Sequence, residues 1–113
     1  FNGGNNKMLE EYKYEIVNNN QNYNILKITI TNNTVCDYVT INIYDLTDGE
    51  SILVFQNQYY ITPCSTKVIF FPLVINNYDD YRIIENFQVT YATQSPCTQV
   101  STMILYDAQL NDF

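Results

Sequence analysis

The sequence predicts an all-β fold, a seven-stranded antiparallel sandwich, and three observations predict it. Apolar and polar residues alternate with period two along most of the chain, as half-buried strands require. The alternating runs are rich in Val, Ile, Thr, Tyr and Phe, the residues that fit a pleated surface. Clusters of Asn, Asp, Gly and Pro separate the runs, and no apolar stripe of 3.6-residue period reaches helical length.

The first run is 10–17, with Tyr12, Tyr14 and Ile16 on one parity against Glu11, Lys13 and Glu15. The second is 23–31, where Leu26, Ile28 and Ile30 alternate with Lys27, Thr29 and Thr31. The third is 38–44, where Val39, Ile41 and Ile43 alternate with Thr40 and Asn42. The fourth, 51–56, is continuously apolar from Ile52 to Phe55, as is the fifth, 66–75, from Val68 to Phe71. Pro72 interrupts the fifth run and predicts a bulge or an edge position. In the sixth, 83–91, Ile83, Phe87, Val89 and Tyr91 share one parity with a misfit, Glu85. The seventh is 99–106, with Val100, Thr102, Ile104 and Tyr106. Asp48-Gly49 between the third and fourth runs is a hairpin signal.

A length of 113 residues is enough for one core. Residues 1–9 read as a linker or flexible N-terminus and 10–113 as a single sandwich domain, cut from a longer secreted chain or lacking its leader. A net charge of −7 excludes a phosphate-backbone binder, which needs clustered Lys and Arg. No apolar run is long enough for a transmembrane segment. The chain has no His, which removes His-based nucleophile activation and His-ligated zinc or haem.

Seven short strands with turns at this spacing resemble an immunoglobulin-like or fibronectin type III-like sandwich. The chain has no Trp, the hallmark core residue of immunoglobulin domains. The resemblance implies that the loops after the second, fourth and sixth runs share one pole. Cys36, Cys64 and Cys97 fall in those loops. The expectation is a Cys36–Cys64 disulfide between the sheets with Cys97 left over, the two other pairings remaining open. A three-thiolate metal site is the alternative, and three buried thiols inside a cell the plainer one. A sequon at Asn32-Asn33-Thr34 adds a glycosylation reading and, with the disulfide, an extracellular one.

The opposite pole would carry Asp45, Asp48 and Glu50 on one loop and Asp79 and Asp80 on another. Five carboxylates suit calcium, which takes six to eight oxygens, although the spacing is not that of an EF-hand; solvated acidic turns are the plainer reading. No other cofactor is implied. A glycosidase pair needs a cleft between two carboxyls, and no insertion is present to build one, so no enzyme is expected.

Eleven Tyr remain, too many for one small core. Tyr59 and Tyr60 are adjacent, so in a strand one faces outward, and Tyr78 and Tyr81 flank Asp79-Asp80. Tyr presents an apolar body and a polar tip, which suits protein interfaces and sugar faces, or aromatic cross-strand pairing on an outer sheet face. The stretch Tyr14–Val17 with Leu26–Thr34 resembles the opening hairpin of small cellulose-binding sandwiches of plants and amoebae, and equally many extracellular adhesion domains. The cellulose-binding modules use exposed Trp, which this chain lacks. The expected function is a non-enzymatic extracellular recognition or adhesion module, binding protein or glycan through loop tips or a Tyr-bearing sheet face. A structural subunit of a coat, fibre or virion, with self-association as its mark, and a carbohydrate-binding module are the alternatives.

Overall fold

The computed structural model describes residues 10–16, 23–33, 35–76, 81–95 and 97–108. Among them the strands are β1 (Glu10–Ile16), β2 (Ile25–Asn32), β3 (Asp37–Asp45), β4 (Ile52–Ile61), β5 (Ser65–Pro72), β6 (Val74–Asn76), β7 (Tyr81–Ile83), β8 (Phe87–Thr93) and β9 (Thr98–Leu105). They form a front sheet in the order β1-β8-β3-β4, a back sheet in the order β5-β2-β9, and a β6-β7 ribbon. Every pairing is antiparallel. No helix among the described residues is long and apolar enough to cross a membrane.

The alternation read from sequence becomes the two inner faces. Leu26, Ile28 and Ile30 of β2 face Val39, Ile41 and Ile43 of β3 and Phe87, Val89 and Tyr91 of β8 in one buried cluster. Each such Ile or Leu withdrawn from water contributes about 1.5–3 kcal/mol.

Two expected strands are divided. The fifth run becomes β5 and β6, and the sixth becomes β7 and β8. Pro72 has no N–H to donate, and it ends β5, an edge strand. Beyond it the buried Leu73 turns its N–H to Asn24 O at 2.8 Å, and Ile84 N–H reaches Leu73 O at 2.9 Å. Glu85 lies between β7 and β8 and is exposed, so its wrong parity never enters a ladder. The continuous apolar run in β4 has its own cause. Ile43 pairs with Phe55 but Tyr44 pairs with Leu53, so Val54 is the extra residue of a bulge.

The pairing of the outer strands departs from the immunoglobulin-like arrangement. There the last two strands are neighbours in one sheet. Here β8 stays in the front sheet beside β1, while β9 crosses to the back sheet and pairs with β2. A buried carboxylate fixes this crossing. Asp37, only 1% exposed, accepts the N–H groups of Gln94 (3.0 Å) and Ser95 (3.3 Å) and the hydroxyl of Thr98 (2.6 Å). The two N–H groups belong to the β8–β9 connection and the hydroxyl to the first residue of β9, so the buried carboxylate has its acceptors filled.

Candidate functional site

The front sheet has a flat outer face whose rows follow from the register. Tyr38 on β3 pairs with Tyr60 on β4. Their rings lie 5.0 Å apart at 54°, and the residues are 46% and 53% exposed. One step along, Thr40 lies between Ala92 and Gln58. In the next row Gln56 Nε2 donates to Asn42 Oδ1 at 2.7 Å, and Asn42 Nδ2 donates to Thr90 Oγ1 at 3.1 Å. Tyr44 follows, between Gln88 and the exposed Leu53. An exposed aromatic pair thus opens onto a hydrogen-bonded ladder of amides and hydroxyl, with no charged residue in these rows on β3, β4 and β8.

Of the adjacent tyrosines, Tyr60 faces outward. Tyr59 is partly buried, packs against the core and has Lys67 Nζ 5.5 Å from its ring centre, so it lies on the opposite face of β4 from Tyr60. Tyr78, Asp79 and Asp80 lie outside the described residues. Tyr81 pairs with Asn76 in the β6-β7 ribbon. Sequence reasoning singled out neither the Tyr38–Tyr60 pairing nor the Asn42 ladder. The outward parity of Tyr38, Thr40, Asn42 and Tyr44 was the signal available for them.

The cysteine pole forms as expected, but without a bridge. Asn32 pairs with Ser65 and with Thr98, and Asp37 pairs with Ile61, which brings the three thiol-bearing segments to one end. Cys36, Cys64 and Cys97 are all free and exposed, so the expected Cys36–Cys64 disulfide is replaced by separate surface thiols. Asn32 supplies the cross-tie instead. It is fully buried, and its Nδ2 donates to Val35 O (2.6 Å), Ile61 O (3.2 Å) and Thr62 O (3.3 Å). That nitrogen is the one a glycan would occupy, and in this fold it ties the cysteine pole together.

Cys36 instead joins the aromatic pair. The Cys36 thiol neighbours the Tyr60 hydroxyl and interacts with it. That interaction and the charge of the ionised thiol hold the phenol above the ordinary tyrosine pKa.

At the acidic pole, Asp45 of the expected calcium ligands has partners within the chain. Asp45 Oδ1 accepts the Thr47 N–H at 2.9 Å, and Asp45 Oδ2 meets Arg82 Nη2 at 3.3 Å. Asp48 reaches the same guanidinium at 4.0 Å, and Glu50 is exposed. Burial alone would raise the Asp45 pKa, but the hydrogen bonds from Thr47 and the Arg82 charge outweigh it and hold the carboxyl below the usual range. No metal-ligating cluster of three or more groups occurs among the described residues.

A comparison with protein-family models, curated proteins and solved structures finds no match. The reading of the site therefore rests on its own geometry.

Proposed function

We propose that this chain is a non-enzymatic recognition module that presents the outer face of its front sheet to an uncharged glycan or an uncharged patch on a protein. The observation that carries this is the exposed Tyr38–Tyr60 pair beside the Gln56–Asn42–Thr90 ladder. Aromatic rings offer rigid apolar area at low entropic cost, and adjacent amides add directional hydrogen bonds. The neutrality of the rows on β3, β4 and β8, which β1 flanks with Glu11, Lys13 and Glu15, favours a neutral partner at the β3–β4 end, while the net charge of −7 opposes nucleic acid.

The test is a glycan and polysaccharide array run beside a protein-partner screen, with wild type, Tyr60→Ala and Gln56→Ala compared. The expected result is saturable binding that both substitutions weaken and that Phe70→Ser, on the back sheet, leaves intact. Removal of calcium should change nothing. Binding insensitive to both front-face substitutions would refute the assignment. A second reading, a structural subunit of a coat or fibre, draws on the character of β4.

A further inference from the structure

Edge strands expose unpaired backbone groups, and proteins usually guard them with charge, Pro or bulges. β1, at one edge of the front sheet, carries Glu10, Glu11, Lys13 and Glu15. β5, at an edge of the back sheet, carries Lys67 and Pro72. β4 at the other front edge is the longest described strand at ten residues, and it has no charge and no Pro. The uncharged stretch runs from Ser51 to Thr66. Ile52, Leu53 and Tyr60 are about half exposed along it. Its guards are the bulge at Val54 and the Asn57 Oδ1 that accepts the Gln58 N–H at 2.9 Å.

The centre of β4 is also symmetric. Phe55-Gln56-Asn57-Gln58-Tyr59 reads nearly the same in both directions about Asn57. A two-fold interface is isologous, so it favours a strand that complements its own reverse. Antiparallel pairing about Asn57 sets Gln56 against Gln58 of the second copy and Phe55 against its Tyr59. The amide pairs lie on the outer face and the aromatic pairs on the inner one. Both are favourable cross-strand combinations, and no like charges oppose one another although each chain carries −7. β9 is also an uncharged edge, but Thr98–Leu105 has no such symmetry.

We propose that β4 is a self-pairing edge: two copies join β4 to β4 about a two-fold axis at Asn57. The result is one continuous eight-stranded sheet. Both Tyr38–Tyr60 pairs lie on the same outer face of it, either side of the seam. The Asn57–Gln58 contact is exchanged for strand pairing when the dimer forms.

Sedimentation velocity over a wide concentration range, under reducing conditions, tests this. The expected result is a monomer–dimer equilibrium. The double substitution Gln56→Lys/Gln58→Lys places like charges opposite one another and should weaken the dimer about tenfold or more. Phe70→Asp on the back sheet should leave it unchanged. Amide exchange in β4 should slow with rising wild-type concentration, a readout independent of the variants' folding. A monomer at every concentration overturns the proposal. So does a dimer that survives the Lys pair, or one whose protection appears on β9. This test does not involve the recognition partner, so its failure leaves the front-face reading standing, and the reverse also holds.

Discussion

The hydroxyl of Thr98 donates to the buried carboxylate of Asp37 across 2.6 Å, linking the start of β9 in the back sheet to the start of β3 in the front sheet. The same carboxylate holds the N–H groups of Gln94 and Ser95, so one side chain organises the whole crossing. Asp37→Ala should cost about 2–4 kcal/mol, because the donors lose a charged acceptor in a buried place. Thr98→Val should cost less, about 1–2 kcal/mol. Urea unfolding of both variants measures this, and equal costs would contradict a hub centred on Asp37.

Asn32 predicts a different signature. Its amide ties three carbonyls, so Asn32→Ala should destabilise by about 1–3 kcal/mol. Asn32→Asp should be no milder, since a carboxylate has no N–H to give. Thermal unfolding decides this, and an unchanged midpoint would remove the structural role.

Asp45 sets an acid limit. Its folded pKa is lowered, so its stabilisation is present above the unfolded value of about 3.9 and is lost as pH falls through the folded one. Arg82→Met should move the folded value toward the unfolded one and reduce stability at neutral pH. Asp45→Asn should flatten the loss of stability below about pH 4. Unfolding curves from pH 7 downward would show no difference in acid slope if Arg82 and Thr47 did not hold this carboxylate.

The Cys36 thiol sets the environment of the Tyr60 phenol. Cys36→Ala removes that interaction and the thiolate, so the Tyr60 phenol should shift down toward about 10. Tyrosine-labelled NMR through an alkaline titration follows that ring separately from the others. All three thiols of the native protein should react with a maleimide without denaturant, as exposed free cysteines do. A thiol that resists until unfolding would show a bridge or burial instead.

In the core, Ile41→Ala should cost about 2–5 kcal/mol, because the side chain is fully buried between the sheets. Thr40→Ala, the next residue on the outward parity, should cost under about 1 kcal/mol. Chemical denaturation compares them, and similar costs would mean that the two faces of β3 are not distinguished.

The sequence by itself determined the strand character of the chain and the buried faces of β2 and β3. Period-two patterning at Leu26-Ile28-Ile30 and Val39-Ile41-Ile43 leaves a strand only one way to turn toward water. It also determined the meeting of the cysteine segments at one pole, because short connections return each strand to the end where the last one stopped. Partner choice among strands was settled elsewhere. Alternation is equally satisfied by β9 beside β8 or beside β2, and the difference lies in Asp37, one buried carboxylate that reads in sequence as an ordinary strand-end residue. The same holds at the sites. That one of Tyr59 and Tyr60 faces outward follows from parity, but which one, and that Tyr38 and Cys36 stand beside it, required the β3–β4 register. The free thiols, the engaged amide of Asn32 and the Arg82 cation beside Asp45 are contacts between residues distant in the chain. Such contacts have no local signature in sequence. They depend on packing geometry, which only the tertiary structure fixes.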